Sequence, residues 1–190
     1  MTPRIPLPRI RLEPVAVAHE SMFLAAARRS RALHSPWVHP PQTVARFRRY
    51  VSQHTGERHI GYLAFSAEGE LVGVINISEI VRGVFQSAYL GYCAFEPHQR
   101  RGYMTAALQR VLRDCFGKHR LHRLEANIQP ANRRSVSLIK RLGFVKEGFS
   151  SGYLKVGGRW QDHERWALTR ERWKAVQGAR HRQAARNRQR

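Results

Sequence analysis

A chain of 190 residues with 42% apolar and 25% charged residues carries enough hydrophobic material for one domain with its own core, which excludes wholesale disorder and requires no second domain. Its two cysteines, Cys93 and Cys115, stand in apolar-periodic segments with no CxxC pair or histidine cluster beside them, which argues for two buried thiols in a reducing compartment and against a disulfide framework or a metal set. The net charge of +21 points to a polyanionic neighbourhood, and because nowhere do about 18 uncharged apolar residues run together, no membrane partner is expected and the expected location is the cytoplasm.

In chain order, residues 1–8 read as an N-terminal extension, and Arg9–Pro14 predicts a short first strand. A helix follows over His19–Arg31, with Met22, Phe23, Ala26 and Ala27 on one face, and a second fits Gln42–Gln53. Three β-rich runs come next, Arg58–Ser66, Leu71–Ile80 and Ser87–Phe95; the AEGE between the first two reads as a hairpin turn, so an antiparallel meander is predicted. From Gly102 to Phe116, Met104, Ala107, Leu108, Val111, Leu112 and Cys115 recur at spacings of three and four, the pattern of a helix lying on a sheet, and Gly117 supplies a stop. Arg123–Ile128 is a strand by pattern. Asn132 then caps a helix over Arg133–Leu142 that ends at Gly143. Strands near Val145–Tyr153 and His163–Leu168 flank a turn at Gly157 and Gly158.

The order β-α-α-β-β-β-α-β-α-β-β gives a single α/β domain over residues 9–173 with a mixed, mostly antiparallel central sheet flanked by helices. Beyond it, residues 174–190 form a basic tail; the stretch 178–190 holds five arginines and no acid and lacks a sustained apolar stripe, so it is expected to be disordered. The body stays strongly basic without the tail. Arg28, Arg29, Arg31, Arg46, Arg48 and Arg49 are part of that excess, and they fit solvated helix faces as well as a nucleic-acid surface.

The chemistry concentrates in Cys93–Thr105, CAFEPHQRRGYMT, where a strand passes through a short basic loop straight into an amphipathic helix. The first amides of a helix lack intrahelical partners and carry the positive end of its dipole, so a diphosphate can accept several N–H bonds there. Gly102 allows close backbone approach, Arg100 and Arg101 add charge, and no acid occurs from Arg100 until Asp114. His119 and His122 lack a third ligand, so no metal is expected.

The run Gln99-Arg100-Arg101-Gly102-Tyr103-Met104 resembles the pyrophosphate motif of the GCN5-related N-acetyltransferases, Gln/Arg-x-x-Gly-x-Gly/Ala, with Met104 in the place of the small residue. Asn132-Arg133-Arg134-Ser135 and Leu142-Gly143-Phe144 are similar to the Asn-x-x-Ser and Leu-Gly-Phe segments of the same enzymes. LGYCAF, VRGVF, HRLEANIQPANRRS, RLGFVKEGF and YLKVGGRWQDH narrow the resemblance to the RimJ branch, the ribosomal-protein-alanine N-acetyltransferases, over roughly residues 9 to 170.

This resemblance implies the GNAT fold and acetyl-CoA as cosubstrate, with its diphosphate over Arg100, Arg101, Gly102, Tyr103, Met104 and Thr105. It implies a thioester beside the backbone of Cys93, Ala94 and Phe95, and Asn132 bonded to the pantetheine arm, although a helix cap is an equally good reading of Asn132. Ser135 would protonate the leaving sulfur, or else merely satisfy the capped first turn. For a base, Asn127 stands where many amine acetyltransferases carry a carboxylate, Glu125 lies two residues away on the same strand face, and Glu79 and Asp162 are further candidates. Tyr153, Trp160 and Trp166 fit either an acceptor pocket or the core.

Without a strong base, an α-amine is the easier acceptor: it is roughly 10–15% neutral at pH 7, against about 0.04% for a lysine. The expected acceptor is the N-terminal alanine of a small-subunit ribosomal protein, with the ribosome or its RNA as a further partner through the basic surface and tail. A small-molecule amine such as a polyamine is the alternative acceptor. The third reading is an RNA- or ribosome-associated binding factor with secondary activity.

Overall fold

The computed structural model describes residues 6–188; residues 1–5 of the expected extension and the last two of the tail lie outside it, as do the side chains of residue 181 and residues 184–188. Seven strands, β1 (Ile10–Pro14), β2 (Ile60–Ser66), β3 (Leu71–Val81), β4 (Ser87–Ala94), β5 (Arg123–Ile128), β6 (Val145–Val156) and β7 (Arg159–Thr169), make one sheet in the order β1-β2-β3-β4-β5-β7-β6. All neighbours are antiparallel except β4 and β5. The β2–β3 hairpin turns where expected, with Gly69 at φ +85° and the Ser66 hydroxyl accepting from the amides of Glu68 and Glu70.

Helices cover both faces. α4 (Tyr103–Phe116) lays Leu108, Val111, Leu112 and Cys115 on one face, all fully buried, beside Ile139 and Leu142 of α5 (Arg133–Leu142). Truncating a leucine this deep, as in Leu108→Ala, costs about 2–5 kcal/mol because the hole does not close. On the other face α1 (Glu20–Arg29) and α3 (Val44–Gln53) build an aromatic cluster from Phe23, Phe47, Tyr50 and Phe95. The long first helix expected from the sequence breaks at Ser30. There the buried hydroxyl donates to the Ala26 carbonyl at 2.7 Å and accepts from the Glu96 amide at 2.9 Å, and a short helix, α2 (Arg31–His34), restarts the chain.

Two further elements differ from expectation. The β6–β7 hairpin is longer, reaching Val156 and Arg159, because backbone pairing continues through Leu154↔Gln161 and Lys155↔Trp160 after the hydrophobic alternation has stopped. Where the sequence predicts a disordered tail after residue 173, α6 runs from Arg170 to Arg188. Its first turns are held by tertiary contacts that composition does not reveal. Trp173 lies 5.4 Å from the Phe116 ring, Arg172 Nε donates to the Gly143 carbonyl at 2.7 Å, and Val176 covers Gly143 so closely that a Cβ there would be 2.9 Å from its Cγ2. Gly143 itself closes α5 at φ +102°, the left-handed stop read from the sequence. No helix among the described residues is long and apolar enough to cross a membrane.

Candidate active site

The parallel pair β4–β5 holds only over Ser87–Tyr89 against Arg123–Glu125, and beyond Tyr89 the two strands part. On its other edge β4 stays paired with β3, where the Phe95 amide donates to the Val72 carbonyl at 2.9 Å. The two-residue period of the antiparallel ladder gives Cys93 the same direction and turns the backbone of Tyr92 and Ala94 toward the gap. His34 Nε2 confirms that direction for Ala94, bonding its carbonyl oxygen at 2.8 Å. This corrects the expected trio of Cys93, Ala94 and Phe95: Phe95 is a core residue whose amide is committed to β3. Tyr92 takes the outward place that the sequence reading missed, and the alternation in LGYCAF was the signal for it.

From this gap a cleft of about 860 Å³ runs between α4 and α5. At one end the loop after β4 enters α4 through Arg100 at φ +65° and Gly102 at φ +84°, a left-handed conformation that a non-glycine residue such as Arg100 adopts only under constraint. Gly102 is the N-cap of α4 without a side-chain bond, and the first turn contains no acid, so the amides of Tyr103, Met104 and Thr105 face a potential anion rather than a protein acceptor. Met104 fits because Gly73 lies beneath it on β3; a Cβ on Gly73 would run into the Met104 sulfur.

Along the cleft the lining includes Arg100, Arg133, Arg134, Arg141 and Arg180 and, among the described residues, no aspartate or glutamate. Three lining residues also carry buried polar atoms with no hydrogen-bond partner, His34 Nδ1, His98 Nδ1 and Gln99 Oε1. Burial holds both histidines below their ordinary value of 6.5, with the Ala94 carbonyl opposing at His34 and Glu70 opposing at His98. A lining with this many guanidiniums, beside the unpaired atoms of His34, His98 and Gln99, suits a bound polyanion.

At the inner end Asn132 accepts from the Ser135 amide at 3.2 Å, so its side-chain oxygen is the α5 cap. Ser135 Oγ lies 2.5 Å from the Tyr92 hydroxyl, which is also 3.3 Å from the Ser135 carbonyl. Burial raises the Tyr92 phenol above the ordinary tyrosine range, and its Ser135 hydrogen bond opposes this, so the phenol stays protonated. The buried Cys93 thiol is pushed up to about 12 and is inert at neutral pH.

Of the sequence-derived residues, the cleft unites Cys93, Ala94, Arg100, Gly102, Tyr103, Met104, Thr105, Asn132 and Ser135. Arg101 is exposed and is not in its lining. Glu125 lies in register with Tyr89, where β4 and β5 are still paired, and its carboxylate is bound to Arg123 Nε at 2.8 Å. It lines a separate cavity of about 250 Å³ with Glu79, Phe85 and Tyr89. Asn127 Oδ1, two residues further along β5, is buried without a partner. Asp162 accepts from Ser151 and the Gly152 amide in the β6–β7 hairpin, while Trp166 is core and Trp160 is exposed.

The profile of the Acetyltransferase (GNAT) domain matches residues 9–145. The chain belongs to the GNAT acetyltransferase family. Among curated relatives of this GNAT chain, the [Ribosomal protein uS5]-alanine N-acetyltransferase of Escherichia coli (strain K12) is 43% identical over 106 residues, 56% of this chain and 55% of that protein. The probable N-acetyltransferase YjcK of Bacillus subtilis (strain 168) is 35% identical over 112 residues, 59% of this chain and 61% of that one. These matches thus span little more than half the length of either relative. Among solved structures, Mycobacterium smegmatis RimJ in complex with CoA-disulfide superposes with a TM-score of 0.79 at 29% identity, covering 85% of this chain and 82% of that one. The GNAT fold expected from the motifs is therefore the fold found.

Proposed function

We propose that this protein transfers the acetyl group of acetyl-CoA to the α-amine of an N-terminal alanine on a small-subunit ribosomal protein. The observation that carries the reading is the cleft with five arginines and, among the described residues, no acid in its lining, running from the α4 N-terminus to the Ser135–Tyr92 pair. The fit is specific in three respects: unpaired amides and Arg100 at one end for a diphosphate, the outward backbone of Tyr92 and Ala94 for an amide-bearing arm, and a hydroxyl pair at the inner end.

Acetyl-CoA supplies the acyl group as an activated thioester. The outward amide of Ala94 or Tyr92 polarises the carbonyl, an interaction worth about 3 kcal/mol when preorganised. Ser135 donates its proton to the departing sulfur. Tyr92, protonated and 2.5 Å away, donates to the serine oxygen in turn, so that the pair acts as a short relay. Asn132 holds the first turn of α5, and with it Ser135, in place.

The base is the part supplied by the acceptor. No carboxylate lines the cleft among the described residues, Glu125 is bound to Arg123, and the unpaired Asn127 oxygen accepts a hydrogen bond but takes up no proton at neutral pH. An α-amine, already about a tenth neutral at pH 7, attacks without prior deprotonation. The proton its nitrogen sheds as the amide forms is acidic enough to pass to water, and solvent returns one to the Tyr92–Ser135 pair, so no strong base is needed. The name of the Escherichia coli relative supports the alanine terminus. The charge of +21 supports work beside ribosomal RNA in the cytoplasm, where the polyanion would concentrate the enzyme near its substrate.

The test is acetyl-CoA turnover with an alanine-initiated peptide, a peptide whose only amine is a lysine side chain, a polyamine, and intact ribosomes in parallel. The alanine peptide and ribosomes are acetylated fastest. Preferential turnover of the polyamine would replace this acceptor with a small amine, and turnover of none would leave a binding factor.

A further inference from the structure

We infer that the tip of the β3–β4 connection, with the small cavity beside it, is a subsite for the acceptor chain: an extended N-terminus whose alanine enters the β4–β5 gap lays a large apolar side chain, several residues further on, against Phe85. This rests on the acceptor reading above and deepens it.

The tip is the segment Val81–Phe85, VRGVF, which the chemistry of the cleft leaves unused. It turns through Gly83 at φ +65° and Gln86 at φ +41°. Hydrogen bonds hold it to the loop before β5: Arg82 Nη1 donates to the His119 carbonyl at 2.6 Å, and the His122 amide donates to the Gln86 carbonyl at 2.7 Å. Even so, Val84 is 98% and Phe85 68% exposed. Apolar side chains held in water contribute nothing to the fold by burial, and a tip that is tied down yet presents them offers a fixed surface to a partner's apolar group.

Phe85 lines the cavity of about 250 Å³ together with Val81 and Tyr89. The carboxylates in that lining, Glu79 and Glu125, are each bonded to an arginine, so the cavity draws no free cation and offers a visitor its apolar wall. It has room for one large side chain rather than for a helix, which is about 10 Å across. Its place on the sheet names the occupant. Tyr89 and Glu125 are partners on parallel strands and face away from Leu90 and Leu124, which pack with α4 and α5. The cosubstrate cleft therefore lies on one face of the sheet and the cavity on the other, with the β4–β5 gap between them. Asn127, next on the cavity's face of β5 toward the gap, carries the buried oxygen without a partner, which a peptide N–H would satisfy. A strand rises about 3.3 Å per residue, which puts Ala88 in the cavity lining about 13–20 Å from the backbone of Tyr92 and Ala94. An extended acceptor covers that distance in roughly four to six residues. A polyamine of the same length would instead bring a second cation to a wall with no unpaired carboxylate to receive it.

The experiment measures kcat/KM, at saturating acetyl-CoA, for alanine-initiated peptides of serine and glycine that carry a single leucine at each position from the second to the eighth. The full chain is compared with Phe85→Ser, Phe85→Leu and Val17→Ser; Val17 is a half-exposed apolar residue outside the cavity lining, so its variant controls for the loss of exposed apolar surface as such. With the full chain, a leucine at one or two positions from the fourth to the seventh raises kcat/KM by about tenfold or more through a lower peptide KM, the scale of burying one such side chain. Phe85→Ser removes that gain and leaves the leucine-free peptide and the KM for acetyl-CoA within about twofold, Phe85→Leu keeps part of the gain, and Val17→Ser keeps it all. A leucine that helps at no position, or only outside the fourth to seventh, overturns the subsite. So does equal slowing of every peptide by Phe85→Ser, which marks damage to the fold, or a loss of the gain in Val17→Ser matching that in Phe85→Ser. If the full chain acetylates no alanine-initiated peptide, the acceptor reading itself fails, and the subsite with it.

Discussion

The large cleft and the small cavity at the closed end of the β4–β5 divergence are built on opposite electrostatic plans. The cleft has five arginines in its lining and, among the described residues, no carboxylate. The cavity contains two carboxylates, and both are taken: Glu125 by Arg123, and Glu79 by Arg58 at 2.8 Å. Arginines lining a cleft attract an anionic ligand, whereas carboxylates already paired with arginine are committed to their own neighbours. On the proposed function, that contrast, rather than the overall charge, favours the cleft for the cosubstrate and leaves no free base in the cavity.

The contrast breaks most severely at Gly102. Its φ of +84° disfavours any side chain, and Pro8 lies 3.2 Å from where a Cβ would be. Gly102→Glu also brings a negative charge to the amides of the α4 first turn, so coenzyme A binding is expected to vanish in calorimetry while the fold, read by circular dichroism, persists. Retained affinity would move the diphosphate elsewhere.

Next in size is the hydroxyl pair. Ser135→Ala slows turnover by about 10²-fold with little change in coenzyme A affinity, and Tyr92→Phe by about tenfold, the range for loss of a proton donor and of its partner. Because the two act in series, Tyr92→Phe has little further effect in a Ser135→Ala background. Additive losses would show that Tyr92 acts on its own.

Smaller still is the cavity. Glu125→Gln changes kcat for an alanine-initiated peptide by less than about threefold, because a carboxylate already paired with Arg123 is not the proton acceptor. A tenfold loss with an altered pH profile would restore Glu125 as the base and undo the contrast drawn above.

The least effect is on stability. Burial lowers His34, His54, His98 and His119 from 6.5, so each resists protonation in the folded state while the unfolded chain protonates normally. Their contribution is intact above pH 6.5 and is lost as pH falls from there through the lowered folded values. The thermal midpoint should therefore decline by a few degrees between pH 7.5 and pH 5.5, before the carboxylates titrate. A flat profile over that interval would mean that the histidines of the cleft are not held neutral.

Periodicity and punctuation are local properties, so the sequence by itself determined the helices that carry the site. The three-and-four spacing of Leu108, Val111, Leu112 and Cys115 gave α4, and Asn132 and Gly143 bracket α5 at both ends as read. The motif Gln99–Met104 and its partner Asn132–Ser135 were legible for the same reason, since each lies within a single turn of chain. What the tertiary structure decided is everything that depends on which distant residues meet. The two-residue pleat against β3 exchanged Phe95 for Tyr92 at the gap, and Arg123 took Glu125. Most consequentially, Trp173 and Val176 found Phe116 and Gly143. A stretch of arginines without an apolar stripe has no local reason to hold a fixed course. α6 acquires one from two apolar anchors just before that stretch, and so carries Arg180 to the cleft.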